Sequence, residues 1–232
     1  MSTPRFRHTF SQRHVVLPVI HVESVDQALR NVAISVACAC DGVFLINHHV
    51  SHAELLAVHS SVTAAYPGVW VGINSLGSEP LELFEELPPN VQGVWTDHAG
   101  VDERSSDQPY ARRIAGAIAR AHWRGLYFGG VAFKYQRDVD DVAAAARLAA
   151  QYMDVVTTSG PGTGRAASVD KLRTMKSAIG ASPLAVASGV TPENVRDYLD
   201  SVDAFLVATG ISRTFTELDP VKVEALVRAV RC

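Results

Sequence analysis

Residues 186–195 read VASGVTPENV, and residues 203–213 read DAFLVATGISR. Each stretch starts with the apolar residues of a buried strand and then reaches a Ser-Gly or Thr-Gly turn. In the first stretch, Thr191 is a good N-cap, because its hydroxyl can accept a hydrogen bond from an unpaired helix N–H. Pro192 and Glu193 suit the first helical turn, where a missing N–H costs little and negative charge is favoured. We therefore expect a strand, a glycine turn and an α-helix starting at Thr191.

The same unit of strand and helix recurs along the whole chain. The apolar runs are continuous rather than alternating, as expected of strands that are buried on both faces. The eight predicted strands are residues 15–20, 42–46, 69–73, 91–95, 126–133, 154–158, 183–187 and 203–208. Helical patterns lie between them, with predicted starts at Ser24, Asp138, Ser168 and Asp219. Eight such units predict an α/β fold, a single (β/α)₈ TIM barrel like the ribulose-phosphate-binding barrels. An open doubly wound sheet usually has a glycine-rich turn after its first strand, where this chain has VIHVES.

Composition places the chain among soluble globular proteins. Its 232 residues fit one barrel domain, residues 1–232, in which residues 1–13 form an N-terminal extension. A hydrophobic content of 47% and a net charge of −3 indicate a large core and no nucleic-acid partner. The three cysteines lack metal-binding spacing, which favours a reducing compartment. Without a signal peptide or a long apolar run, we expect a cytoplasmic protein with no membrane span. The chain could form a homo-oligomer.

Two glycine turns stand after strands 7 and 8, where such barrels commonly bind phosphate. Backbone N–H groups in these turns can bind an anion, hydroxyl groups can add donors, and an arginine can supply countercharge. The candidate phosphate-binding residues are Ser188, Gly189, Val190, Thr209, Gly210, Ile211 and Arg213. The alternative is that the glycines only serve tight turns.

Polar residues at the other strand ends would share the same mouth of the barrel. Asp97 could act as a general acid or base, and Lys134 as a proton donor, an electrophile or an imine-forming amine. Their structural alternatives are a loop cap and a solvated charge. His21, at the end of strand 1, completes the candidate catalytic residues. The candidate substrate-binding residues are Asn47, Asn74, Ser159, Thr163 and Arg165, of which the last three belong to the loop TSGPGTGR.

The segment NHHVSH, residues 47–52, raises the question of a metal site, since His48 and His52 are four residues apart. Metallohydrolase barrels usually carry His-x-His on strand 1, whereas His21 is followed by Val-Glu. We therefore predict neither a metal nor a cofactor. A metal-dependent hydrolase, with a metal near His21, His48 and Asp97, is the less favoured alternative.

Six motifs resemble the BtpA (SgcQ-like) family of TIM-barrel proteins over most of the chain, most specifically in its last third. They are VIHVES (19–24), VGINSL (71–76), FKY (133–135), DVVTTSGPGTG (154–164), VASGVTPENV and DAFLVATGISR. The resemblance implies a phosphate-binding barrel; some members are labelled phosphoribosyltransferases, and the family has been linked to photosystem I biogenesis. We expect an enzyme that acts on a small sugar phosphate or phosphoribosyl compound by isomerase, lyase or transferase chemistry. A non-catalytic biogenesis or assembly factor is the alternative.

Overall fold

The computed structural model describes residues 5–231 and shows eight parallel strands closed into a barrel in sequential order. Strand β1 pairs with β8, from Val15 opposite Ala204 to Pro18 opposite Val207. This pairing confirms the predicted closure and fold class. Residues 1–4 of the predicted extension and Cys232 lie outside the described residues. The strands are β1 (Val15–Val22), β2 (Val43–Asn47), β3 (Val71–Asn74), β4 (Gly93–Thr96), β5 (Leu126–Gly130), β6 (Val155–Ser159), β7 (Leu184–Ala187) and β8 (Ala204–Val207).

Helices cover the outside of the barrel, and their starts follow the capping residues. Ser24 and Ser168 cap their helices as predicted, whereas α6 is capped by Asp141 and so begins later than the predicted Asp138. Within residues 5–231, no helix combines the length and the apolar character needed to cross a membrane. The helices are α1 (Arg5–Thr9), α2 (Val25–Ala37), α3 (His52–Ala65), α4 (Pro80–Glu86), α5 (Pro109–Arg120), α6 (Val142–Ala149), α7 (Val169–Ile179) and α8 (Pro220–Arg231).

The predicted α-helix at Thr191 is wrong, because the connection from β7 to β8 holds only a 3₁₀ helix, Val195–Tyr198. The capping chemistry itself is present, since the Thr191 hydroxyl accepts a hydrogen bond from the Glu193 N–H at 3.3 Å. The Asn194 side chain then closes a turn, by accepting from the Thr191 N–H at 2.9 Å and donating to the Gly189 carbonyl at 2.8 Å. β8 begins soon afterwards, so the chain is too short for a helix of ordinary length.

Aromatic side chains close the end of the barrel where the strands begin. Phe6 of α1 is fully buried, and its ring lies 5.2 Å from that of Phe10. Phe10 in turn meets the ring of Trp70 at 5.2 Å. Burying a phenylalanine side chain contributes roughly 1.5–3 kcal/mol, so this packing stabilises the barrel floor. A ligand site is therefore expected at the opposite end, where the strands finish.

The barrel mouth as candidate active site

A cavity of about 230 Å³, here called the mouth cavity, opens at the carboxyl ends of the strands. Its floor is apolar, and polar groups stand around its wall. The floor consists of Val19, Ile46, Trp95, Ala187 and Leu206, and the wall of His21, His48, Lys134, Thr163, Gly164, Ser188, Ala208, Thr209 and Phe215. An apolar cavity with a few convergent polar groups is typical of a small-molecule site, and this volume suits a small ligand.

Lys134 crosses the mouth cavity from the loop after β5. Its Nζ donates to Ser188 Oγ at 3.1 Å and to Thr163 Oγ1 at 3.4 Å, so one ammonium group joins the loops after β5, β6 and β7. The prediction that Lys134 ends strand 5 is wrong, because β5 stops at Gly130 and the chain then turns through Ala132 with a φ of +48°. The extra loop length lets the side chain reach the far wall.

Ser188, which accepts a hydrogen bond from this ammonium, has a strained backbone conformation. Its φ is +74°, which is in the left-handed region that costs a residue with a Cβ about 1–2 kcal/mol. Strain of this kind is often found where a side chain is held for binding or catalysis. The next residue, Gly189, is also left-handed, with a φ of +68°.

His21 is a neutral imidazole with a defined tautomer. It is only 7% exposed, and burial, followed by the nearby His48, lowers its pKa from 6.5 to about 4. Its Nδ1 lies 2.8 Å from the carbonyl oxygen of Phe215. A carbonyl can only accept, so Nδ1 carries the proton and Nε2 keeps a lone pair. Nε2 can therefore accept a proton or a hydrogen bond from a ligand.

The loop after β8 folds back as a small hairpin, with Phe215 beside its tip. Ser212 and Leu218 form an isolated bridge, and the Arg213 N–H donates to the Glu217 carbonyl at 2.8 Å. The Phe215 ring lies 4.0 Å from the His21 ring and is 46% exposed, so it covers one side of the mouth. Arg213, a predicted phosphate ligand, is exposed on this hairpin and does not line the mouth cavity.

Asp97 lies directly after β4, at the edge of the mouth and outside the lining of the cavity. Asn74 Nδ2 donates to its Oδ1 at 3.0 Å. Burial raises the pKa of Asp97, while the bond from Asn74 and the charge of Lys134 oppose that shift. The carboxyl group is thus close enough to Lys134 to feel its charge.

The predicted phosphate turns contain donors, but the glycines also serve packing. A Cβ on Gly189 would lie 2.2 Å from the Ala166 nitrogen, and one on Gly210 would lie 1.9 Å from the Val190 oxygen. The Ile211 N–H is not free for an anion, because it donates to the Ala208 carbonyl at 3.0 Å. The N–H groups of Gly189 and Val190 have no backbone acceptor within residues 5–231.

The predicted substrate-binding residues divide into two groups. Thr163 lines the mouth cavity, and Asn74 holds Asp97. Asn47 instead fixes the neighbouring loop, since its Oδ1 accepts from the Leu76 N–H at 2.6 Å and its Nδ2 donates to the Val50 carbonyl at 3.3 Å. Ser159 accepts from the Lys134 N–H at 2.7 Å and supports that loop. Arg165 is exposed and lies outside the mouth cavity.

The histidines that follow β2 have separate neighbours. The ring of His48 lies 4.7 Å from that of His21, and His52 Nδ1 lies 2.8 Å from Ser75 Oγ. Among the described residues, no three or more His, Cys, Asp or Glu side chains are grouped so that they could hold a metal ion.

Two groups at the mouth were missed by the sequence reasoning. Trp95 is 4% exposed, lines the floor of the mouth cavity, and its Nε1 has no hydrogen-bond partner among the described residues. A buried donor without a partner is costly, and a ligand acceptor would relieve that cost. The second missed group is Phe215. Trp95 was missed because an apolar residue just before the polar end of β4 looks like ordinary strand core.

The sequence of the second half of the barrel is similar to a known protein family. Residues 132–232 match the BtpA family. The BtpA match includes Lys134, Ser188 and Thr209, which line the mouth cavity, and it confirms the resemblance for the four motifs within residues 132–232. Among curated proteins, none matches the chain by sequence.

Comparison of the fold with solved structures finds TIM-barrel proteins at low sequence identity. Phosphoribosyl anthranilate isomerase from Thermus thermophilus is 17% identical, with a TM-score of 0.64 over 94% of this chain and 98% of that chain. The (S)-3-O-geranylgeranylglyceryl phosphate synthase from Thermoplasma acidophilum, in complex with its substrate sn-glycerol-1-phosphate, is 15% identical, with a TM-score of 0.67 over 99% of both chains. Tryptophan synthase from M. tuberculosis is 12% identical, with a TM-score of 0.70 over 99% and 100%. These likenesses show the fold.

Proposed function

We propose that the protein is an enzyme that acts on a small phosphorylated compound held in the mouth cavity. The observation that carries the proposal is the meeting of the Lys134 ammonium with Ser188 Oγ at 3.1 Å, on the wall of the mouth cavity. A cation next to a hydroxyl donor can bind a phosphate through charge-assisted hydrogen bonds, and the N–H groups of Gly189 and Val190 follow Ser188 in the same turn. Thr209 stands on the same wall as a further donor.

The other groups of the mouth are suited to proton transfer on the body of the ligand. His21 Nε2 can accept a proton, and Lys134 can stabilise a developing oxyanion. Asp97, whose pKa burial raises, is a further proton carrier at the edge of the mouth. The unpartnered Trp95 N–H can hold a carbonyl or hydroxyl oxygen at the floor. Isomerase or lyase chemistry next to a carbonyl uses all of these roles, and phosphoribosyl transfer needs the same phosphate site.

Two of the similar barrels support this proposal by the compounds in their names, a phosphoribosyl anthranilate and a glyceryl phosphate. We further propose a single-domain cytoplasmic protein. In support of that location, Cys38 and Cys40 are free thiols, as expected in a reducing compartment.

A thermal-shift screen tests the proposal. Sugar phosphates and phosphoribosyl compounds are each paired with their unphosphorylated counterparts. A ligand at 100 times its Kd stabilises the folded state by about 2.7 kcal/mol, which is roughly 5–10 °C in Tm for a domain of this size. We expect at least one phosphorylated member to raise Tm by this amount, and Ser188→Ala to reduce the shift. If no phosphorylated compound exceeds its counterpart, the proposal is wrong.

A further inference from the structure

A second cavity, here called the side groove, lies next to the mouth between the loops after β5 and β6. Its volume is about 570 Å³, and Lys134 lines both it and the mouth cavity. Gly160, Ser168 and Lys171 form the wall on the side of β6 and α7. The groove therefore extends the accessible space from the phosphate end of the mouth toward the outside of the barrel.

Lys171 lies in this groove without a carboxylate partner among residues 5–231. An ammonium group has three N–H donors. Two of them go to the carbonyl oxygens of Ala132, at 2.5 Å, and Ser159, at 2.8 Å, so one donor is left over. Both acceptors are neutral. Burial lowers the pKa of Lys171 to about 8, and no described carboxylate counters that shift.

The other charged groups of the side groove do not supply a counter-ion. Arg137 is already paired, with Asp102 at 2.8 Å and with Glu103. Asp138 is exposed and, within residues 5–231, forms no ion pair with Lys171. Besides the paired Arg137, the groove therefore holds two cations, Lys134 and Lys171, whose hydrogen-bond partners among residues 5–231 are hydroxyl or carbonyl groups.

We propose that the side groove is a second anion subsite, in which Lys171 and Lys134 bind a phosphate or carboxylate group. The free N–H of Lys171 supplies a donor, and the bound anion supplies the missing countercharge. The substrate then carries two anionic groups, one in the mouth cavity and one in the groove. This statement about the substrate rests on the proposed function, whereas the anion subsite does not.

Chemical labelling of Lys171 tests the subsite directly. The protein is acetylated at pH 8 in inorganic phosphate, in sodium acetate or in sodium chloride at equal ionic strength, and the rate at Lys171 is followed by mass spectrometry. A bound anion favours the charged ammonium, which does not react, so the rate falls. Lys222, exposed on α8 with its Nζ 3.1 Å from the Ser212 carbonyl, is the internal control.

We expect phosphate to slow acetylation of Lys171 by at least about fivefold relative to chloride and to leave Lys222 unchanged. Protection by phosphate alone assigns a phosphate subsite, and protection by acetate as well assigns a subsite that also takes carboxylates. Equal rates in all three salts would overturn the proposal. Arg173→Met, which removes a charge from the exposed face of the same helix, should keep the protection. If phosphate no longer protects Lys171 in the Arg173→Met variant, the protection is a long-range charge effect and the assignment is overturned.

Two further measurements separate the subsite from the proposed function. Ser188→Ala alters the mouth, so protection of Lys171 should survive it; its disappearance would place the anion in the mouth instead. Isothermal titration with fructose 6-phosphate and fructose 1,6-bisphosphate tests the statement about the substrate. Wild type should bind the bisphosphate at least tenfold more tightly, and Lys171→Met should remove that advantage, whereas equal affinities in wild type would refute it. If phosphate protects Lys171 but no phosphorylated compound binds, the anion subsite is supported and the proposed function is refuted.

Discussion

Replacing Lys134 with methionine removes the ammonium group of the mouth and keeps much of its side-chain bulk. The group donates one hydrogen bond of 3.1 Å to Ser188 and a longer one of 3.4 Å to Thr163, both to neutral hydroxyls. Buried hydrogen bonds of a charged group contribute about 1.5–3 kcal/mol, but this ammonium is only half-buried and water competes for it, so we expect the free energy of unfolding to fall by less than about 1.5 kcal/mol. This corresponds to less than about 5 °C in Tm.

Ligand affinity should fall much further than stability. Removing one partner of a buried charge pair costs 2–5 kcal/mol, and Lys134 is only half-buried, so we take about 2–3 kcal/mol for its pair with a phosphate. At 1.4 kcal/mol per factor of ten, Kd for a phosphorylated ligand rises about 30- to 150-fold. Turnover on that ligand should fall by about 10²-fold or more, as with loss of a positioned acid or base.

Isothermal titration and steady-state kinetics measure these effects, with a melting curve as the folding control. The matched control is Lys222→Met, which removes a lysine charge from the exposed surface of α8. The unphosphorylated analogue should lose little affinity for Lys134→Met. A folded Lys134→Met protein with wild-type affinity and turnover would refute the role given to Lys134.

Three further predictions concern the turn after β7 and the neighbouring histidine. Ser188→Gly and Ser188→Ala should weaken a phosphorylated ligand equally in titration, because both lack the hydroxyl. In urea unfolding, however, the glycine variant should be the more stable by about 0.5–1 kcal/mol, since it relieves the φ of +74°; equal stabilities would remove the strain argument. Gly189→Ala should lower Tm strongly, because its Cβ would lie 2.2 Å from the Ala166 nitrogen, whereas Gly77→Ala, also left-handed but with open space around it, should cost only about 1–2 kcal/mol; similar Tm losses would contradict the packing. His21 has a folded pKa of about 4 and an unfolded pKa near 6.5, so its stabilising effect is complete above pH 6.5 and is lost as the pH falls toward 4. Between pH 7 and 4, the free energy of unfolding of wild type, measured in urea, should therefore fall by up to about 3 kcal/mol more than that of His21→Gln. Equal decreases in the two proteins would rule out a buried neutral His21.

The fold could be predicted because its determinants are local. Each barrel strand is buried on both faces, so it appears as a continuous apolar run, and Ser24 and Ser168 mark helix starts within a few residues of the chain. The helix expected at Thr191 shows the limit of this reasoning. The capping signal was real, but the short connection to β8 and the side chain of Asn194 decided the outcome.

The site could be predicted only in part, because its geometry depends on contacts between distant segments. His21, Lys134, Ser188 and Thr209, which were chosen for their places at predicted strand ends, line one cavity. The strand-end position did not show that the Asn47 side chain makes its hydrogen bonds to the backbone of neighbouring loops. The close contact between Gly210 and the Val190 carbonyl was not predictable either. Because of this contact, a side chain at position 210 would disturb packing whether or not a ligand is bound.

A crystal structure with a phosphorylated compound from the thermal-shift screen would show whether the mouth cavity binds phosphate. We expect phosphate oxygens at about 3 Å from Lys134 Nζ and Ser188 Oγ, with the body of the ligand over Trp95 and beside His21 Nε2. A phosphate bound away from these groups, with the mouth cavity free of ligand, would contradict this expectation.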